Sequence, residues 1–426
     1  MGIDGFHKWI SSEYDDIYYD INDTNKVFHH LYIDLNYLLH LCHYNSNDET
    51  HLINKMSVVI MDICSKVCPV ISLNLFCDGT APFAKMVLQR ERRNKNQNQN
   101  DDIFKTSLNF TPGTNFIKDM SIKLEKCIKT IRTYFNIKVN IDSIAPGEAE
   151  IKIKNKLIQN YNRNKDHSHL LVTNDADVVL ILASDETYIK TNILLNNKVL
   201  PINELLIKHF NKYNPTFNKV NNLDFVLLSI LLGNDYVPKI GELSPKKIWD
   251  SYQQNVDKYK YILKINKEND IKFEFNKDFL IDILNDCVGK IGKTKILKNN
   301  KLYCNELYKN YFDGILWTLT MYNLGRCYNY DYICNYNKPI DILNLILYLY
   351  DYDIKNFKFI ETKPIPSVLC GILLLPENAS KELIDKKYKK FIENKSIKKI
   401  YQTDFKITVE FIKNIQIKFE EFGETL

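Results

Sequence analysis

Apolar, strand-like runs end on carboxylates three times in the first half of the chain. LYIDL at 31–35 ends near Asp34, VISLNLFCD at 70–78 ends on Asp78, and HLLVTNDAD at 169–177 leads to Asp175 and Asp177. Between these runs the apolar spacing changes from two to three or four, the change that separates strands from helices. The pattern predicts helices over 36–43, 51–68 and from about 115 to 135, and a strand over IKVNID at 137–142. It then predicts a helix from Glu148, a hairpin over 187–199, and helices over 202–213 and 223–232, the last followed by Asp235. Strands and helices alternating through 28–235 predict an α/β fold with a mainly parallel sheet flanked by helices. Such sheets bind ligands beyond the carboxyl ends of their strands. Asp34, Asp78 and Asp175 all fall at such ends, so the pattern predicts that they meet at one rim.

The texture changes near residue 255. A Lys-, Asn- and Asp-rich stretch over 256–302 is expected to be a linker or insertion with one helix near 278–287. A second, mostly helical and aromatic region is expected over 303–400, and a helix or tail over 401–426. NKNQNQNDD after Arg93 is a polar low-complexity run expected to form a loop. Lys381 to Lys399 is basic and amphipathic, and a solvated surface helix accounts for it.

Composition narrows the class. The chain has 426 residues, 45% hydrophobic and 26% charged, as in an ordinary globular protein. A net charge of +5 is mild, so any nucleic-acid contact must come from local clustering. The ten Cys include no C-x-x-C pair, and reduced thiols in a cytoplasmic setting fit them, with a nuclear or virion-associated setting left open. The start MGIDGFHKWI lacks a secretory pattern, and no apolar run is long enough to span a bilayer. His40 and His43 have helical spacing without a matching second pair, and all nine His precede residue 210, which argues against a zinc site.

The chemistry lies at the rim. Asp175 and Asp177 are two apart at a strand end, where alternate residues share a face. Carboxylates held together repel one another and favour a bound cation. Glu148 and Glu150 occupy a first helical turn, where acidic groups suit the helix dipole. An all-oxygen set of this kind suits Mg²⁺ or Mn²⁺. After Asp78, the segment GTAPFAKMVLQRERR places Lys85, Gln89 and Arg92 on one helical face with Arg93 beside them. Such a face can hold a phosphate.

The segments MGIDGFHKWI, LYIDLNYLLHLC, FCDGTAPFAKMVLQRERR, TPGTNF, PGEAEIKI, TNDADVVLIL and LLGNDYVP, in this order, resemble the Xrn family of 5′→3′ exoribonucleases in a short form. A weaker likeness continues through YFDGILWTLTMYNLGRC and IPSVLCGILLLPENASKELIDKKY. The resemblance implies a 5′ nuclease (PIN-like) core over 1–255, and Asp34, Asp78, Glu148, Glu150, Asp175, Asp177 and Asp235 as the catalytic, metal-binding acids for two Mg²⁺ ions, with Mn²⁺ as substitute. It implies that Lys85, Gln89, Arg92 and Arg93 hold the 5′-terminal phosphate and that His40 stacks near the first nucleotide. The family's aromatic wall falls on RCYNYDYICNYN here, which makes Tyr330 or Tyr332 its substitute. The implied activity is metal-dependent 5′→3′ degradation of single-stranded RNA bearing a 5′-monophosphate, releasing nucleoside 5′-monophosphates. Two other readings stand beside it. PKIGELSPKKIWDSY after Asp235 is similar to a segment of flap endonucleases acting on DNA, and a catalytically inactive RNA-binding scaffold would share the basic face.

Overall fold

The computed structural model describes all residues except 1–2, 4, 24–25, 97–105, 176, 217–219, 242, 267–270, 299–304, 335–337, 359, 403–404, 406 and 424–426. Most of the polar run after Arg93 therefore lies outside the described residues. Seven strands form the main sheet: β1 (Tyr19–Asp20), β2 (His30–Asp34), β3 (Ser72–Phe76), β4 (Lys138–Asp142), β5 (His169–Val172), β6 (Thr191–Leu195) and β7 (Lys198–Pro201). Their order is β1-β7-β6-β5-β2-β3-β4. Strands β4, β3, β2, β5 and β6 run parallel, and β7 and β1 add antiparallel at one edge. From β2 the chain moves outward to β3 and β4, then returns to the other side of β2 as β5. The strand order thus switches between β2 and β5, where an open α/β sheet leaves a crevice.

Both faces of the sheet are covered, and the inner strands are buried along their length as parallel strands require. Leu31, Ile33, Leu73, Leu75, Leu170 and Val172 point to one face. They pack there against α2 (Leu35–His43), α3 (Glu49–Val67) and α5 (Asn115–Phe135). Tyr32, Phe76, Leu171 and Ile193 point to the other. That side holds α1 (Phe6–Glu13), α6 (Ala149–Arg163), α7 (Val178–Ala183), α8 (Ile202–Tyr213) and α9 (Asn222–Ile230).

The stretch expected as a linker carries regular elements in the same core. Helix α10 (Pro245–Tyr259) leads into a hairpin of β8 (Leu263–Asn266) and β9 (Lys272–Phe275), then α11 (Lys277–Lys298). Val256, Leu263, Phe279, Leu280 and Leu284 join one apolar cluster with α12 (Asn305–Leu324) and α13 (Ile342–Asp351). Asp224 of α9 fixes the start of the hairpin, accepting from the Ile262 and Leu263 amides and from the Tyr252 hydroxyl.

A third apolar cluster joins α4 (Phe83–Asn96) to α14 (Ser367–Leu374) and the helices after it, with Phe83, Met86, Leu369, Ile372 and Phe391 among its members. Arg90 ties this module down by donating to the Leu373 and Ile400 carbonyls. Lys386, Lys387, Lys389, Lys390, Lys395, Lys398 and Lys399 lie exposed on it, as a solvated face should.

The opposite rim of the sheet, where β2 and β5 begin, gathers His29, His30, His167 and His169. His30 and His169 stack at 5.2 Å and 13°, and His29 and His167 at 4.5 Å and 10°. No sequence pattern pointed to this cluster.

Candidate active site

A cavity of about 460 Å³ opens at the carboxyl ends of β2, β3 and β5. Asp34, Asp78, Glu148, Glu150, Asp175 and Asp235 line it from one side, and Lys85, Gln89, Arg92 and Arg93 from the other. Tyr37, His40 and Phe110 form part of its wall. The strand-end carboxylates therefore meet at one rim, as the sequence predicted, and the basic face of α4 meets them.

Local hydrogen bonds set each acid. Asp34 ends β2 and caps α2, its Oδ1 accepting from the Asn36 amide at 2.8 Å. Its Oδ2 accepts from the Thr173 hydroxyl at 3.3 Å. Asp78 follows β3 and accepts from the Ala149 amide at the start of α6, at 2.9 Å. Two loops are laced together to make that contact: the Gly79 amide donates to the Gly147 carbonyl at 2.9 Å, and the Gly147 amide to the Thr80 carbonyl at 2.8 Å. A Cβ on Gly79 would lie 2.0 Å from the Ala145 carbonyl oxygen, and Gly147 adopts φ +99°, so neither position admits a side chain without rearrangement.

Electrostatics follow from this crowding. Burial and the nearby Asp78 and Asp175 charges push Asp34 up to about 7, against the pull of its two backbone hydrogen bonds. Glu150 is pushed well above the usual range by burial and by Asp34, Asp78, Asp175 and Glu148. Burial also raises Asp175. Glu148 is raised by burial, although Lys85 opposes the shift, and it accepts from the Tyr236 hydroxyl at 2.6 Å. Asp235 goes the other way. Burial would raise it, but Lys85 at 2.5 Å and Arg92 at 3.1 Å hold it below its ordinary value.

Lys85 thus sits among the acids, 3.0 Å from Glu148 as well. The grouping of Lys85 and Arg92 with a phosphate needs qualification, because both are already paired with carboxylates. Arg93 and Gln89 differ. The Arg93 Nε and the Gln89 Oε1 are buried without a hydrogen-bond partner. An unpaired buried donor is costly, and an anion would satisfy the guanidinium. The Gln89 amide, turned over, presents its NH₂ to the same ligand.

Three expected site residues sit elsewhere. Asp177 does not line the cavity. β5 ends at Val172, and the chain turns, with the Asp177 amide donating to Asp175 Oδ1 at 3.0 Å. The two carboxylates therefore do not share a strand face, and Asp177 instead accepts from the Ile3 amide at 2.9 Å. Burial and the Asp175 charge raise it to about 7. Tyr330 and Tyr332 are both buried and do not line the cavity either. Tyr332 stacks on Trp317 at 4.6 Å and 29°, and donates to the Asn310 carbonyl. Their main-chain carbonyls do the work near the site, accepting from the Phe83 and Ala84 amides at the start of α4 at 2.9 and 3.0 Å. His40 keeps an exposed edge, and its ring rests edge-on against Phe110 at 5.5 Å. Desolvation against the pocket wall, then Arg93, lower its pKa.

The donor set fits a hard divalent cation in kind: six lining carboxylates, four of them with raised pKa values that a cation would lower. Among the described residues, no three His, Cys, Asp or Glu side chains stand close enough together to hold a metal ion as they are. Lys85 accounts for part of this, since its ammonium draws Glu148 and Asp235 to itself.

Residues 1–194 match the family model described as XRN 5′-3′ exonuclease N-terminus. A protein of Acanthamoeba polyphaga mimivirus described as a 5′-3′ exonuclease is 29% identical over 228 residues, 45% of this chain and 35% of that protein. The 5′-3′ exoribonuclease 1 of Saccharomyces cerevisiae is 26% identical over 314 residues, 58% of this chain and 20% of its own length. The chain thus matches about a third or less of the length of these relatives. Among solved structures, the catalytic core of Rad2 in complex with DNA substrate aligns with a TM-score of 0.38 and 14% identity, over 81% of this chain and 94% of that one. No helix among the described residues is long and apolar enough to cross a membrane.

Proposed function

Since this chain belongs to the Xrn family of 5′-3′ exonucleases, we propose that it is a divalent-metal-dependent 5′→3′ exoribonuclease acting on single-stranded RNA with a 5′-monophosphate. The observation that carries this reading is the meeting, in one cavity, of six carboxylates with the face of Lys85, Gln89, Arg92 and Arg93. Neither half alone selects an end and cuts beside it.

In this reading Arg93 and Gln89 receive the terminal phosphate, because both line the cavity and each has a buried polar atom without a partner. Arg92, paired through Asp235, borders the same space. Asp34, Asp78, Glu148, Glu150, Asp175 and Asp235 would hold Mg²⁺ or Mn²⁺. Bound divalent cations supply the charge that activates water and stabilises a leaving 3′ oxygen. Tyr236 fixes one Glu148 oxygen, and the α2 and α6 amides fix one oxygen each of Asp34 and Asp78. The second oxygen of Asp78 is left for the cavity, whereas that of Asp34 accepts from the Thr173 hydroxyl and that of Glu148 pairs with Lys85. Lys85 holds Glu148 and Asp235 when the charge of the acids is otherwise unbalanced. His40 presents a ring to the first base, and products leave as nucleoside 5′-monophosphates.

The test is a rate comparison with Mg²⁺ on otherwise identical RNAs ending in 5′-monophosphate or 5′-hydroxyl, alongside a 5′-flap DNA. Mononucleotides released stepwise from the phosphorylated RNA support the reading. Preferential cutting of the flap would move the assignment to a structure-specific DNA nuclease, and binding without cutting to an inactive scaffold.

A further inference from the structure

Helix α2 is apolar on two sides. Leu35, Leu38, Leu39 and Cys42 enter the core beneath the sheet. The opposite side carries Tyr37, His40, Leu41 and Tyr44, spaced at i, i+3, i+4 and i+7. At 3.6 residues per turn these four fall within an arc of roughly 100°. Tyr37 and His40 line the cavity. Tyr44 follows with helical backbone angles, φ −51° and ψ −34°, so the register runs on through it. It is 91% exposed, and Leu41 is 54% exposed. A single exposed aromatic needs no explanation, but a row in helical register leading out of a cavity does. The row is backed by a rigid support: the buried Phe110 takes the edges of both His40, at 5.5 Å, and His43, at 5.0 Å.

We propose that Tyr37 and Tyr44 extend the His40 position into a stacking track for the bases of the strand whose 5′ end occupies the cavity. This rests on the function proposed above. The occupant is nucleic acid because the row is continuous with the candidate site and three of its four side chains are flat rings, which accept any base on their faces. The dimensions agree. Tyr37 to Tyr44 spans seven residues, about 10 Å of helix, and stacked bases advance roughly 3.4 Å each, so the track has room for about three nucleotides. The track supplies sequence-blind grip on the strand outside the reacting centre.

The experiment uses the full chain, with Tyr44→Ala and Tyr44→Trp variants, each also made in an Asp78→Asn background for binding. The probes are 5′-phosphorylated RNAs of two and of twelve nucleotides, the longer carrying 2-aminopurine at one of the first six positions. The expectation is that Tyr44→Ala raises KM for the 12-mer about tenfold with kcat nearly unchanged, and leaves the dinucleotide unaffected. Fluorescence quenching should be lost at one or two adjacent positions, and Tyr44→Trp should restore both KM and quenching. Unchanged KM and unchanged quenching at all six positions in Tyr44→Ala would overturn the track and point to a protein partner on this face. Quenching is read by binding alone, so it tests the track even if the wild-type protein hydrolyses no RNA. That second failure would count against the proposed function and not against the track.

Discussion

The histidine cluster beneath the sheet should make the fold acid-labile by an amount that can be worked out. His169 is fully buried, stacked on His30, with Nδ1 3.0 Å from the Tyr32 hydroxyl and Nε2 without a partner. His30 lies 2.8 Å from the Ser72 hydroxyl and 3.0 Å from His167 Nδ1. Burial, with the charges of neighbouring histidines and of Lys154, Lys156 and Arg163, lowers His169 to about 3 and His30 to about 4, against an ordinary 6.5. A His whose folded pKa is depressed contributes stability above its unfolded pKa and loses it as pH falls. At pH 5 both remain neutral in the fold, while the unfolded chain binds a proton at each. The loss from pH 8 to pH 5 is then set by the unfolded value alone, about 2 kcal/mol per histidine and ~4 kcal/mol for the two. That is a large part of the 5–15 kcal/mol typical of a folded protein. The rim carboxylates act in the opposite sense, because Asp34 and Asp177 have raised pKa values and gain stability from protonation as pH falls through about 7. The wild-type profile therefore mixes both, and a difference measurement is needed. His169→Gln keeps a polar group for Tyr32 and removes one titrating ring. Urea unfolding in EDTA at pH 8, 7, 6 and 5 should show its penalty relative to wild type shrinking by about 2 kcal/mol between pH 8 and pH 5. A difference constant to within about 0.5 kcal/mol would refute the argument.

Three further outcomes are expected at the site. Asp175→Asn should abolish turnover while leaving far-UV circular dichroism and RNA binding intact, and near-normal hydrolysis would remove Asp175 from the metal-binding set. Lys85→Met should destabilise the protein by about 3–5 kcal/mol in EDTA, since it leaves Glu148 buried without its cation and Asp235 with Arg92 alone, and Mg²⁺ should recover most of that loss in thermal melts. Arg93→Gln should shrink the preference for a 5′-monophosphate over a 5′-hydroxyl; at roughly 1.5–3 kcal/mol per charged hydrogen bond, two bonds give the wild type a hundredfold or greater preference, measured as a ratio of initial rates.

How much of this was legible follows from how local each cause is. Asp34, Asp78 and Asp175 were readable because a short apolar run marks where a buried parallel strand stops, and ligands gather at that end. The face of Lys85, Gln89 and Arg92 was readable from helical spacing alone. Asp177 was misplaced because strand periodicity was carried past Val172, where the chain had already turned, and no local pattern marks the Ile3 amide as its partner. The 256–302 stretch looked like a linker because it is rich in Lys, Asn and Asp. Yet Val256, Leu263, Phe279 and Leu284 suffice to anchor α10, the hairpin and α11 on the shared core. The capture of Lys85 by Glu148 and Asp235 joins residues 63 and 150 positions apart, as does the histidine cluster across β2 and β5, and such contacts exist only once the sheet has formed.

The second, helical region is part of the site and not an appendage to it. The first turn of a helix leaves amide donors without intrahelical partners, and at α4 two of them are taken by the Tyr330 and Tyr332 carbonyls. That loop is held by the Trp317 stack from α12 and by Lys413, 2.6 Å from Asp331. The middle of α4 is held by Arg90 on the Leu373 and Ile400 carbonyls. The basic face is therefore aimed at the carboxylates by residues between 317 and 413, and Asp235, which pairs with two of its cations, also lies beyond the segment 1–194 matched by the family model. Residues 1–194 contain five of the six lining acids and all four residues of the basic face, but neither the sixth acid nor the clamps on α4. Keeping Gln89 and Arg93 clear of the carboxylates that already hold Lys85 and Arg92 requires a helix fixed along its length, and this chain supplies that rigidity from its C-terminal half.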